Sequence, residues 1–192
     1  MKRRKPKSST ENIQRQVTFS IIVAVDQAGG FGKAGKIPWH FPEDFKHFQD
    51  TTKGSICIMG RRTYTEIAEH AEKRLKKKRK TKKVELLPER ESIVLSRNAD
   101  LEVIGATLKP SLQVALDSLK ENEKRPIFVI GGEKLFLEAL PQTNTIYLTI
   151  VKGKTYDCDR FFPIDYIVKN FNIAEGRETD ELYFVKYVRR SS

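Results

Sequence analysis

Five short runs of β-branched and aliphatic residues limit this chain more than any other feature: VTFSIIVAV (17–25), SICIMG (55–60), ESIVLS (91–96), PIFVIGG (126–132) and TIYLTIV (145–151). Each is bounded by glycine or polar residues and reads as a short buried strand. Between them lie helical segments: one of about two to three turns opening at Pro42, RRTYTEIAEHAEKRL from 61, SLQVALDSLKEN (111–122) and EKLFLEAL (133–140). Strands alternating with helices predict an open, mostly parallel α/β sheet with helices on both faces. LEVIGA (101–106) reads as a further short strand. NIA and LYFVKYV, in FNIAEGRETDELYFVKYVRR near the end, are expected to form an antiparallel edge. A chain of 192 residues fits one domain, here 17–192, after a polar, basic stretch (1–16) that reads as a disordered arm.

A formal charge of +11 suggests nucleic acid until it is located. Residues 1–8 hold five Lys/Arg and residues 73–83 (KRLKKKRKTKK) hold nine; without them 22 basic residues face 25 acidic ones, so the body is slightly acidic. The basicity belongs to the arm and to an insert at about 70–85. KRRK (2–5) and KKKRK (76–80) have the look of nuclear-import or nucleic-acid patches. Cys57 and Cys158 lie in no metal-ligand spacing and read as plain thiols in a reducing compartment, so no metal is expected. No stretch of about 18 apolar residues exists, and the first twenty lack a secretory core. The expectation is a cytoplasmic monomer with no membrane partner.

Three strand ends carry phosphate chemistry. In VIGGEKLF (129–136) two glycines stand between strand and helix, where backbone approaches a ligand closely and helix N–H groups face it. MGRRTY (59–64) repeats the pattern with Arg61, Arg62 and Thr63, and LSRN adds Ser96 and Arg97. A tight turn and solvated arginines are the plainer alternatives. In GKIPWHFPEDFKHFQDTT (35–52), Asp44 falls in a first helical turn beside Phe45 and Phe48. It is either an exposed capping acid or a carboxylate that grips an N–H-rich heterocycle.

Taken in order, IVAV (22–25), GFGKAGKIPW (30–39) with Pro42 and Asp44, Thr52, IMGRRTY, LLPER (86–90), IVLSR (93–97), VIGGEKLF, IYLTIV and DRFFP (159–163) resemble the dihydrofolate reductases from Val17 to the C-terminus. The resemblance implies that family's fold and NADPH-dependent reduction of 7,8-dihydrofolate, with hydride delivered to C6 and N5 protonated. Dihydrofolate and antifolates such as methotrexate are the implied ligands. It makes Asp44 the active-site acid, bound to the pterin 2-amino group and N3, and Trp39 the residue that orders a water for N5. Ile22 and Thr149 neighbour the pterin, Phe45 and Phe48 sandwich its rings, and Arg90 forks onto the glutamate α-carboxylate. Gly29 to Lys36 resembles the mobile flap, in which Gly30, Phe31, Gly32, Lys33 and Lys36 meet the cofactor; Ala24 grips the carboxamide. Ile130, Gly131, Gly132, Glu133, Lys134, Leu135 and Phe136 line the cofactor, and Arg61, Arg62, Thr63, Ser96 and Arg97 hold its phosphates.

The chain departs from the family's pattern in three places. Phe136 stands where many members have tyrosine, with altered rate expected. Glu89 replaces a common glycine and is placed to compete for the Arg90 guanidinium. The Lys/Arg-rich insert lengthens a link that is usually short; a folate polyglutamate tail is one partner for it, nucleic acid another, and a solvated loop the plain alternative. A riboflavin-pathway reductase and a structural component of the same fold are the rival functions, and Pro38-Trp39 followed by Asp44 argues against the first.

Overall fold

The computed structural model describes residues 17–78, 85–119 and 123–191, with the side chains of 74–78 left aside. The arm (1–16) and residues 79–84 of the insert lie outside the described residues; so do the patches assigned to nuclear import or nucleic acid, apart from the backbone of 76–78.

Strands β1 (Ser20–Val25), β3 (Ile56–Gly60), β4 (Glu91–Leu95), β6 (Ile127–Gly131) and β7 (Thr145–Val151) fall on the five apolar runs. With β5 (Thr107–Lys109), β9 (Phe171–Glu178) and β10 (Leu182–Arg189) they make one eight-stranded sheet, ordered β5-β4-β3-β6-β1-β7-β10-β9. All neighbours are parallel except β10, which runs antiparallel to both β7 and β9. The closing hairpin is longer than the two short segments expected of it. A second sheet pairs β2 (Gly30–Gly32) with β8 (Arg160–Phe161), and neither strand shows in the sequence, because three and two residues carry no period.

Alternate residues of a strand point to opposite faces, and the core divides accordingly. Ile56 and Ile58 join Leu112, Ala115 and Leu116 of α3 (Leu112–Asp117) and Leu135, Phe136 and Ala139 of α4 (Glu133–Ala139). Ile167 of α5 (Ile164–Asn170), a helix the sequence reading did not include, packs in the same cluster. Cys57 and Met59 face Tyr64, Ile67 and Ala68 of α2 (Arg61–Lys78). Helices therefore cover both faces. The fifth helix, α1 (Pro42–Thr52), starts on proline with Glu43 and Asp44 in its first turn, where the missing proline N–H costs nothing and acids face the positive end of the helix dipole.

Helix α3 stops at Asp117, short of the expected 122, and β1 begins at Ser20 rather than at 17; two further boundaries also differ from expectation. LEVIGA forms no strand: Gly105 takes φ 71°, and Ile104, exposed, donates its N–H to the Tyr64 hydroxyl at 2.8 Å. Leu101, Val103 and Ala106 instead cover the second cluster, and the strand begins at Thr107. Helix α2 continues to Lys78, into the basic run, since lysine and arginine are good helix formers. No helix among the described residues is long and apolar enough to cross a membrane.

Candidate active site

Strands β1 and β7 stay in register from Ser20↔Thr145 to Val25↔Ile150, whereas β1 and β6 pair only at Ser20↔Phe128 and Ile21↔Val129. Past Ile21 the sheet splits at its carboxyl edge, where open α/β sheets take ligands. The split forms the floor of a cleft of about 1340 Å3, lined by Ile22, Val23 and Ala24 on one side and Ile130, Gly131 and Gly132 on the other.

At one end of the cleft α1 presents Asp44, Phe45 and Phe48. Burial lifts the Asp44 carboxyl above the ordinary carboxylate range, and a hydrogen bond from the buried Thr149 hydroxyl partly offsets that rise. Asp44 is thus no solvated cap. Trp39 is 8% exposed, packs on Tyr156 with ring centroids 5.0 Å apart, and its Nε1–H finds no acceptor among the described residues. Farther out, Arg90 is anchored by Nε–H to the Pro88 carbonyl (2.8 Å) and Nη1–H to the Thr52 hydroxyl (3.0 Å), with its guanidinium 5.8 Å from the Phe48 ring centroid. The Glu89 carboxylate lies against Lys53 Nζ at 3.3 Å. At φ 61° Glu89 occupies left-handed backbone, which glycine adopts freely and most side chains resist.

The opposite end is cationic. Arg61, Arg62 and Thr63 open α2 at the end of β3, and Ser96 and Arg97 follow β4; all five border the cleft, and the three arginines are exposed. Between the ends, Gly131 (φ 139°) precedes a cis peptide to Gly132. A Cβ on Gly131 would stand 2.9 Å from Thr63 Oγ1, so this backbone and the α2 start approach too closely for a side chain. Phe136 is buried edge-on to Phe31 (5.6 Å) and Phe162 (5.3 Å), a wholly apolar cage suited to phenylalanine.

A partly buried carboxylate at one end, a cluster of guanidinium groups at the other and a bare glycine seam between them can hold a heterocycle beside a phosphorylated ligand. A model of the dihydrofolate reductase family matches residues 18–189. The chain belongs to that family. Dihydrofolate reductase type 3 of Salmonella typhimurium is 35% identical over 149 residues, covering 78% of this chain and 80% of that protein. The Aedes albopictus dihydrofolate reductase is 35% identical over 173 residues, 82% and 84% of the two chains. Among solved structures, the dihydrofolate reductase from Enterococcus faecalis complexed with NADP(H) and RAB-propyl superposes with a TM-score of 0.71 at 27% identity, covering 91% of this chain and 97% of its own.

Of the residues that resemblance to the dihydrofolate reductases assigns to the site, the fold brings all but two to the cleft wall. Gly30 and Lys33 do not border it. Gly30 donates its N–H to Asp26 Oδ1 (2.8 Å) and lies so near Cys158 that a Cβ would stand 2.6 Å from that residue's Cβ. Lys33 points its ammonium at Asp157 Oδ2 (2.7 Å) on the surface. Both hold the flap to the β8 segment rather than line the cleft.

Sequence reasoning missed Ile37, Glu66, His70 and Arg160, which also border the cleft. Glu66 and His70 continue the stripe of Arg62 and Thr63 at helical spacing, a signal that was available. Arg160 arrives through β8 and pairs with Glu133 at 3.3 Å; nothing in the sequence joins those two positions.

Proposed function

We propose that this cleft reduces 7,8-dihydrofolate to tetrahydrofolate at the expense of NADPH. The observation that carries the reading is the Asp44 carboxyl, its protonated form favoured by burial, beside Thr149 in the cleft at the carboxyl edge of the sheet. Family membership supports it and favours it over the riboflavin-pathway reading.

The residues present fit a phosphorylated dinucleotide. Gly131 and Gly132 leave room for its backbone contact, and Arg61, Arg62, Thr63, Ser96 and Arg97 would hold its phosphates. Several guanidinium groups at one end suit the extra dianionic phosphate that separates NADPH from NADH. Ala24, Phe31, Gly32, Lys36, Ile130, Glu133, Lys134, Leu135 and Phe136 would line the remainder. When bound, the reduced nicotinamide supplies the hydride.

The chain's own residues align and protonate. Asp44 accepts hydrogen bonds from the pterin 2-amino group and N3, holding C6 over the seam between β1 and β6. Ile22 and Thr149 border the ring, and Phe45 and Phe48 press on its faces, which excludes water from the transfer. C6 gains a hydride and N5 a proton. The buried indole N–H of Trp39 is suited to orient the water that carries this proton, and Asp44, whose protonated form burial favours, supports its uptake. Arg90, pre-set by Pro88 and Thr52, forks onto the substrate's glutamate α-carboxylate.

The test is loss of NADPH absorbance on mixing with dihydrofolate, abolished by methotrexate. Tight NADPH binding without turnover would instead leave a silent relative of the fold. For the insert, we propose attraction of a polyglutamate tail, because its flanks, His70 and Leu86, both border the cleft that Arg90 also lines. KM for mono- and pentaglutamyl dihydrofolate, at low and high salt, should converge on deleting Leu75 to Lys83. Equal values in the intact protein would reject it.

A further inference from the structure

Ala24, Thr149, Phe184 and Arg177 are register partners across four neighbouring strands, β1, β7, β10 and β9, and therefore share one face of the sheet. Helix α1 meets this row at three successive places. Asp44 lies beside the Thr149 hydroxyl, which favours its ionised form. The His47 ring lies 4.6 Å from the Phe184 ring. Glu43 Oε1 accepts from Arg177 Nη1 at 2.8 Å, and the Arg177 guanidinium is itself laid over Phe184, 4.2 Å from the ring centroid. Contact thus runs in a closed circuit from Asp44 through Thr149, Phe184, Arg177 and Glu43 back to the residue beside Asp44.

Apart from Phe41, which packs against the apolar cluster of Trp39, Val151, Leu182 and Phe184, little else ties the first turn of α1 down. Its N-cap, Phe41, makes no side-chain cap hydrogen bond, and the only fully buried residue of the helix is Thr52 at its far end. The first turn, which carries the acid, depends on side chains from the antiparallel edge.

We propose that Glu43 and Arg177 are positioning residues, whose ion pair, stacked on Phe184 beside His47, seats the first turn of α1 at the depth where Asp44 meets Thr149. The proposal rests on the functional reading above only for its kinetic part. Neither residue touches the reacting groups; both act through the placement of the helix. The pair is about half exposed, with 54% of the Arg177 and 44% of the Glu43 side chain accessible, so attraction alone is screened. Stacking of the planar guanidinium on a buried phenylalanine adds orientation that a screened point charge lacks.

The charged and titratable groups around this contact are Glu43, Lys46, His47 and Asp50 on α1, and Arg177 on β9. Burial and Arg177 hold His47 below its usual range, while Asp50 and Glu43 oppose them; His47 therefore presents a neutral ring to Phe184 at neutral pH. Loosening the first turn admits water to Asp44 and also weakens the Thr149 bond. Burial is the larger influence on Asp44, so the net effect is a lower protonation midpoint.

Carbon-13 NMR titration of the Asp44 carboxyl, in the intact chain and its Arg177→Met, Arg177→Lys and Glu43→Gln variants, tests this without substrate or turnover. Arg177→Met should move the midpoint down toward the ordinary aspartate range and raise KM for dihydrofolate about three- to tenfold, with NADPH Kd unchanged. Arg177→Lys, which keeps charge but not the stacked fork, should recover part of both effects, and Glu43→Gln should have the smallest effect. An unchanged Asp44 midpoint in Arg177→Met, even with lowered thermal stability, would overturn the proposal; so would equal losses of NADPH and dihydrofolate affinity. A wild type that binds NADPH and fails to reduce dihydrofolate would sink the functional reading alone, leaving the NMR titration to judge the clamp.

Discussion

The two ends of the cleft solve the same problem, holding a polar ligand on a mostly apolar sheet, by opposite means. At the α1 end, the single carboxylate of Asp44 is partly buried and lies beside one hydroxyl, that of Thr149. At the other, Arg61, Arg62 and Arg97 stay exposed around two strand ends. A lone buried charge is set by its environment and loses function all at once when altered. Several screened charges share the load and fail gradually. The first arrangement suits chemistry; the second suits affinity.

The sharpest way to break that contrast is Asp44→Asn. Hydride transfer in single turnover at neutral pH should fall by at least about a hundredfold, while NADPH Kd moves by less than about twofold. Normal turnover would remove Asp44 from the proposed role. Next comes the seam. Gly131→Ala adds a methyl group within 2.9 Å of Thr63 Oγ1 at a backbone φ of 139°, and should weaken NADPH about ten- to a hundredfold, with dihydrofolate binding little altered. At the cationic end, Arg97→Ala should cost about tenfold or less in NADPH affinity at low salt and less at high salt. A loss that ignores salt would mean that this end, too, works as a buried site.

The smallest effect concerns stability. The folded-state pKa of Asp44 lies above its unfolded value, so between the two the native state binds more protons, and stability falls as pH rises through that window. Asp44→Asn removes the charge. It should therefore raise the unfolding temperature at neutral pH by a few degrees, at about 2–4 °C per kcal/mol for a domain of this size, and leave it unchanged well below the unfolded pKa. Thermal scans at both pH values check this. Equal shifts at the two would assign the gain to something other than the carboxylate.

Much of the architecture was legible before any coordinates. TIYLTIV became β7 without a change of boundary, and Pro42 opened α1 as expected, because β-branched runs and proline act locally. LEVIGA misled for the same reason: its apolar residues cover a core cluster from irregular backbone, with Gly105 and the Tyr64 hydroxyl deciding the path. Gly30 shows a different limit. It sits in the flap motif, yet its N–H belongs to Asp26 and its open side to Cys158, partners that only folding brings near.

By itself the chain's order of residues determined the strand-helix alternation, the glycine seam after β6, and the kinds of charge available at each strand end, since these follow from local backbone preference and side-chain chemistry. Tertiary structure alone decided that β1 parts from β6 after two paired residues, that Arg177, more than a hundred positions from Glu43, reaches it across the edge hairpin, and that Asp44 is partly withdrawn from water. Those outcomes depend on how distant segments share one surface, and neither desolvation nor register between distant strands is written in any short stretch of sequence.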